Sequence, residues 1–180
     1  SQLEARDALK GELLWSHTGI AESAGLLGGS GPSISGESII VPHASGEVSS
    51  ISTRNGQVLW QENLASSMTL SSLGMIAHIH AYPVIENNLM FVMSHSGIMG
   101  ALNLTTGQKI WSKDIGGIQT PALSNGHLFV ITDGFQIANI QIQSGKAHWA
   151  TELPIYADGK NTSERIYWSG PVLGEGYLYC

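Results

Sequence analysis

A tryptophan four residues after a glycine occurs four times in this chain, as Gly11–Trp15, Gly56–Trp60, Gly107–Trp111 and Gly145–Trp149. The glycines stand 45, 51 and 38 residues apart. This recurrence restricts the fold more than any single residue does. A period of about 40–50 residues marks one supersecondary unit that buries its apolar surface only by stacking on its neighbours. Other landmarks recur in the same order. Pro32, Pro83, Pro121 and Pro171 each open a unit. A turn residue then leads into an apolar run, over 36–41, 87–92, 125–130 and 174–179. Turns at Ser45-Gly46, Ser96-Gly97 and Asp133-Gly134 follow, then a strand such as Ile98–Leu104, then the Gly-x-x-x-Trp frame.

The segments are short, rich in β-branched and aromatic residues, and bounded by Gly, Asn, Ser or Pro, which is a strand-and-turn pattern. Leu89–Met93 is apolar on both faces and predicts an inner strand covered on both sides. The last strand of each unit turns polar after its Trp, as at Gln61-Glu62 and Ser112–Asp114, which suits an exposed outer edge. Four strands per period define a β-propeller blade, here called A, B, C and D in chain order. Only 12% of the 180 residues are charged while 22 are glycine, in keeping with a turn-dense all-β chain. In each frame the glycine predicts a turn at a φ that other residues take at a cost. The tryptophan predicts a wedge between blades.

Laying Gly56 on Gly11 assigns strands C and D of a blade to residues 1–19. Blades then span 31–64, 82–115 and 120–153, and 169–180 supplies strands A and B of another. Together these make about four blade-equivalents. Two architectures follow: a segment of a larger, eight-bladed ring, its edges pairing with a second copy as a homodimer, or a small ring closed by the terminal strands. The first is favoured, because packing residues shared with the larger ring set the angle between blades. Two stretches break the period, 65–81 with Met68, Met75, His78 and His80, and the polar 156–167. Both join a D strand to the next A strand and should emerge on one rim, where binding loops concentrate.

The order Pro, Asn-Gly, apolar run, Ala-Leu, Gly-x-x-x-Trp resembles the PQQ-like repeat. The run from His78 through Val92 and on through Ala101–Trp111 is similar to the middle blades of the BamB family, lipoprotein scaffolds of the outer-membrane β-barrel assembly machine. The resemblance implies an eight-bladed, non-catalytic propeller in the periplasm, against the inner face of the outer membrane. It implies docking on the periplasmic domains of the barrel-inserting subunit, BamA, and a lipid-bearing cysteine outside this chain. In that family a Leu-Asp-Leu-Arg segment contributes to the contact, and it falls here on Leu102, Asn103, Leu104 and Thr105. Both leucines match, while threonine stands in place of arginine. The aspartates of the next blade's acidic loop fall on Thr132 and Phe135, with Asp133 one place off. Leu102, Leu104, Thr105 and Asp133 are therefore the partner-binding residues that the resemblance implies.

Other chemistries find less in the residues. A net charge of −6 without a basic stripe argues against nucleic acid. No apolar run has the length of a membrane-spanning helix. One cysteine, Cys180, leaves no intrachain disulfide. His78 and His80 share one face of a strand, about 6–7 Å apart, with His95 as a third ligand in a weak metal alternative. Quinoprotein dehydrogenases use the same repeat, so part of a PQQ enzyme is the alternative function. Their adjacent cysteine pair is absent, however, and no cluster of Asp, Asn and Glu builds a calcium-quinone site. No Gly-x-Ser-x-Gly occurs, and Gly25–Gly31 precedes no helix. A sensor or ligand-binding propeller is the third reading. Trp168, outside the frames, either packs under its linker or presents an aromatic anchor.

Overall fold

Two-residue turns set the first hairpin of each repeat. Asn87 and Asn88 take φ of 49° and 62°, Asn125 and Gly126 take 51° and 76°, and Glu175 and Gly176 take 50° and 83°. Two successive positive φ values match the right-handed twist of the flanking strands, which is why Asn and Gly stand there. A computed structural model of the chain describes residues 2–18, 30–43, 45–64, 79, 81–94, 97–158 and 161–180. His78, His80, His95, Met68 and Met75 lie outside the described residues, as does most of Gly25–Gly31.

The described residues form strands and turns only. Three antiparallel sheets have four strands each, every strand beside its sequence neighbour. The first holds β3 (Ser33–Ser35), β4 (Ser38–Pro42), β5 (Glu47–Ser52) and β6 (Val58–Asn63). The second holds β7 (Val84–Glu86), β8 (Leu89–Met93), β9 (Met99–Asn103) and β10 (Lys109–Lys113). The third holds β11 (Ala122–Ser124), β12 (His127–Ile131), β13 (Gln136–Gln141) and β14 (Ala147–Glu152). Before them lies the pair β1 (Gln2–Arg6) and β2 (Leu13–Thr18), and after them the pair β17 (Val172–Gly174) and β18 (Tyr177–Tyr179). A further hairpin, β15 (Tyr156–Asp158) with β16 (Asn161–Arg165), occupies the stretch read from sequence as a polar linker.

The core lies between sheets. Alternate residues of β8 face opposite ways and all four from Met90 to Met93 are buried. Met90 and Val92, with Leu102, meet Ile40 and Val48 of the first sheet. Phe91 and Met93, with Met99 and Ala101, meet Leu128, Val130 and Ile140 of the third. This is the inner strand expected from an apolar run without alternation.

The Gly-x-x-x-Trp frames tie one sheet to the next. Trp15 lies against Gly56, where an added Cβ would come within 2.6 Å of the ring. Trp60 meets Gly107 at 2.6 Å in the same way, and Trp111 meets Gly145 at 2.8 Å. Each of these glycines has a φ between +66° and +74°. Each indole also donates its Nε1–H to a backbone carbonyl three residues before the glycine it covers. Trp15 reaches Thr53 at 2.9 Å, Trp60 reaches Leu104 at 2.9 Å and Trp111 reaches Ile142 at 2.7 Å. A β-bulge beside each tryptophan aims the ring. The register slips between Leu13 and Trp15, Val58 and Trp60, Lys109 and Trp111, and Ala147 and Trp149. The extra residue increases local twist and turns the next side chain out of the ladder.

Candidate partner-binding rims

The turns fall on two rims, one at each end of the sheets. On the first rim, A–B turns hydrogen-bond to C–D turns. Thr53 donates its backbone N–H to Glu37, Leu104 donates to Asn88, and Ile142 donates to Gly126. Side chains reinforce the contact. Thr105 Oγ1 donates to Asn88 Oδ1 at 2.9 Å, and Arg54 pairs with Glu37. Asn103 Oδ1 accepts the N–H groups of Thr105 and Thr106, each at 3.0 Å. This short polar side chain fixes the turn that carries Thr105.

On the second rim, B–C turns meet the linkers from D strands. Leu64 donates its N–H to Gly46, Leu153 donates to Phe135, and Asp133 donates to Gly116. The β15–β16 hairpin joins this rim through the Arg165 guanidinium, 5.2 Å from the centre of the Phe135 ring. Sequence reading missed the hairpin because its strands carry no apolar alternation. The Asp158-Gly159 pair in the sequence was the available turn signal.

The four residues implied as partner contacts therefore do not form one surface. Leu102 and Thr105 lie at the exit of strand β9, whereas Asp133 lies just before the entry of β13, the matching strand of the next sheet. A five-residue strand places these ends about 15 Å apart, on opposite rims. Leu102 is fully buried among Met90, Val92 and Ile40, which corrects the expectation that it presents its side chain to a partner. The reason is physical: the third strand of each sheet is covered on both faces. Leu104 packs half-buried on the same cluster, and Thr105 and Asp133 are exposed. Trp168 donates its indole N–H to the Pro154 carbonyl at 2.9 Å, while its own carbonyl accepts from Gln119. It thus ties down its linker, and the neighbouring Tyr167 is 85% exposed.

A polar cleft of about 110 Å³ lies between β2 and the first sheet, lined by His17, His43, Glu47, Ser49 and Gln61. The His43 Nε2 and the Ser49 hydroxyl are 3.0 Å apart there. Sites for organic cofactors usually enclose about 300–1,000 Å³. Among the described residues, no three His, Cys, Asp or Glu side chains gather to hold a metal ion. Cys180 is exposed, and partial desolvation raises its thiol above the ordinary range.

Consecutive four-stranded antiparallel sheets, joined by tryptophan wedges on glycine notches, define a β-propeller of PQQ-like repeats. The chain belongs to the family described as outer membrane protein assembly factor BamB, whose model matches residues 1–151. It is 25% identical over 179 residues to the BamB of Moranella endobia, covering 98% of this chain and 46% of that protein. With the Escherichia coli BamB it shares 23% over 159 residues, covering 87% and 40%. The chain thus spans about half the length of the curated relatives it matches. The BamB crystal structure from Moraxella catarrhalis superposes with a TM-score of 0.73 at 14% identity, over 84% of this chain and 46% of that one. A europium-containing methanol dehydrogenase superposes with a TM-score of 0.69 at 13% identity, over 84% and 38%. Both likenesses describe the fold.

Proposed function

We propose that this chain is a non-catalytic docking scaffold in the assembly of outer-membrane β-barrel proteins. It acts in the periplasm beside the inner face of the outer membrane and uses no cofactor. Its partner is the barrel-inserting subunit's periplasmic domains. The observation that carries this reading is the family match over residues 1–151. The rims support it, since hydrogen-bonded turns give a rigid surface that loses little entropy on binding. Within the complete assembly the chain contributes blades to an eight-bladed ring, divided at 1–19, 31–64, 82–115, 120–153 and 169–180.

Leu104, Thr105 and Asp133 are the proposed contact positions, two on the first rim and one on the second. A pull-down with the barrel-inserting subunit's periplasmic domains as prey tests them separately. The parent chain should capture the prey. Thr105→Arg, which restores the family's guanidinium, should strengthen capture several-fold through a charge-assisted hydrogen bond. Thr105→Glu and Asp133→Lys should each weaken it. No capture by either the parent or Thr105→Arg would overturn the partner assignment.

A further inference from the structure

Two seams between sheets are closed by an aliphatic plug, and a third is not. Where the D strand of the first sheet ends, Leu64 is 1% exposed and lies against Gly100 of the second sheet, 2.8 Å from a would-be Cβ. Where the D strand of the second sheet ends, Ile115 packs on the cluster that holds Ala138 of the third. Ser49 holds the matching place in the first sheet, as the pairs Gly100–Ser112, Ala138–Ala150 and Ser49–Gln61 show. Leu64 and Ile115 each stand four residues after their tryptophan. Four residues after Trp15 the sequence has Gly19, which lies outside the described residues and brings no side chain. The seam between β2 and the first sheet thus lacks an aliphatic plug by choice of residue. It holds the polar cleft of about 110 Å³ instead.

We propose that this cleft is a socket for a guanidinium group. The proposal stands on the fold and does not depend on the barrel-assembly reading. The floor of the cleft is polar and fixed, since His43 is 8% exposed and Ser49 2%, with Nε2 and hydroxyl 3.0 Å apart. Glu47 and Gln61 are more exposed and stand at its mouth, and Thr18 faces them from β2. Glu47 is the one carboxylate among the described lining residues, and no Lys or Arg is among them. Ser45 donates its hydroxyl to Glu47 Oε2 at 3.2 Å, which orients the carboxylate. A cleft whose walls carry charge of one sign favours a ligand of the other. The other polar groups add acceptors on both walls: the Gln61 carbonyl and the hydroxyl oxygens of Ser49 and Thr18. With the Ser49 hydroxyl donating to His43 Nε2, its oxygen keeps lone pairs for a donor from the ligand. A planar guanidinium carries five N–H donors in a rigid fork and stays charged. It can therefore bond the carboxylate and reach acceptors on the facing strand at once, whereas an ammonium is a compact point charge. The volume suits a single functional group, being well below that of a cofactor site. Two sources carry this chemistry, an arginine side chain of another protein and a free guanidino compound.

The test is titration of the chain with N-acetyl-arginine amide, followed by NMR of the His17 and His43 ring resonances. A saturable shift with a Kd of about a millimolar is expected. N-acetyl-citrulline amide, the neutral isostere, should bind about tenfold more weakly or not at all, and N-acetyl-lysine amide likewise. Glu47→Gln should weaken arginine binding about tenfold, through loss of a charge-assisted bond. Glu62, on the opposite face of β6, pairs with Lys109 at 3.9 Å, and Glu62→Gln should leave binding unchanged. Glu47 is partly exposed and glutamine keeps its size, so circular dichroism of Glu47→Gln should match the parent. Free L-arginine assigns the source: tighter binding than the capped amide supports a free small molecule, and equal or weaker binding supports an arginine of another protein. Absence of a saturable shift would overturn the proposal. So would citrulline binding as tightly as arginine, or Glu47→Gln binding as tightly as the parent.

Discussion

Gly107→Ala will lower stability by about 3 kcal/mol, and Gly126→Ala by only about 1 kcal/mol, when both are measured by urea denaturation. The two glycines have nearly the same backbone, with φ of +74° and +76°. An alanine at either position carries the left-handed strain of about 1–2 kcal/mol. The surroundings differ. A Cβ at Gly126 meets nothing within 4 Å, whereas one at Gly107 would stand 2.6 Å from the Trp60 ring. That ring cannot simply withdraw, because its Nε1–H is bonded to the Leu104 carbonyl. Displacing a packed ring adds about 1–3 kcal/mol by overpacking. The difference between the two variants therefore isolates the contribution of one wedge. Equal losses would mean that the wedge contributes nothing beyond the turn.

Leu102→Ala will cost about 2–5 kcal/mol of folding stability, the range for truncating a buried leucine. The side chain is fully buried in the cluster shared by the first and second sheets, so its loss leaves a cavity that neighbouring strands cannot easily close. Thr105→Ala, three residues on and exposed, should stay within about 0.5 kcal/mol of the parent. The comparison also governs how binding experiments are read. Lost capture in Leu102→Ala reports a damaged seam between sheets, whereas lost capture in Thr105→Glu reports a contact. A Leu102→Ala variant as stable as the parent would show that this face of β9 is not packed as described.

Much of the fold was readable because it repeats. An apolar run without alternation, Leu89–Met93, identified a strand buried on both faces, and a turn residue such as Asn87 or Asn125 located the turn before each apolar run. The frames announced a wedge, although the sequence did not show which glycine each tryptophan covers. That partner lies 41, 47 or 34 residues onward, in the frame of the following sheet. Leu102 was misread for a related reason. When both faces of a strand are covered, alternation no longer marks an outward side. A short motif matched to a contact segment then looks the same whether its leucines point into a seam or toward a partner. The opposite placement of Asp133 and Thr105 depends on strand direction and became visible only with the hairpins connected. The β15–β16 hairpin went unseen because backbone pairing and a cation stacked on Phe135 hold it, and neither leaves an apolar period.

The chemistry of the wedge has a consequence for how such chains diversify. Its receptor consists of a missing side chain and a backbone carbonyl, which nearly every repeat supplies. The wedge itself involves no pair of complementary side chains; what is particular to each seam is the apolar packing beside it, such as Met90 and Val92 on Ile40 and Val48. At the wedge, repeats can thus be duplicated, deleted or shuffled without a compensating change in the wedge itself. The same generality leaves the wedge indiscriminate, so the order of units rests on the tether between them and on the apolar packing of each seam. In this chain the unequal spacings of 45, 51 and 38 residues are the variable part on which such enforcement can act.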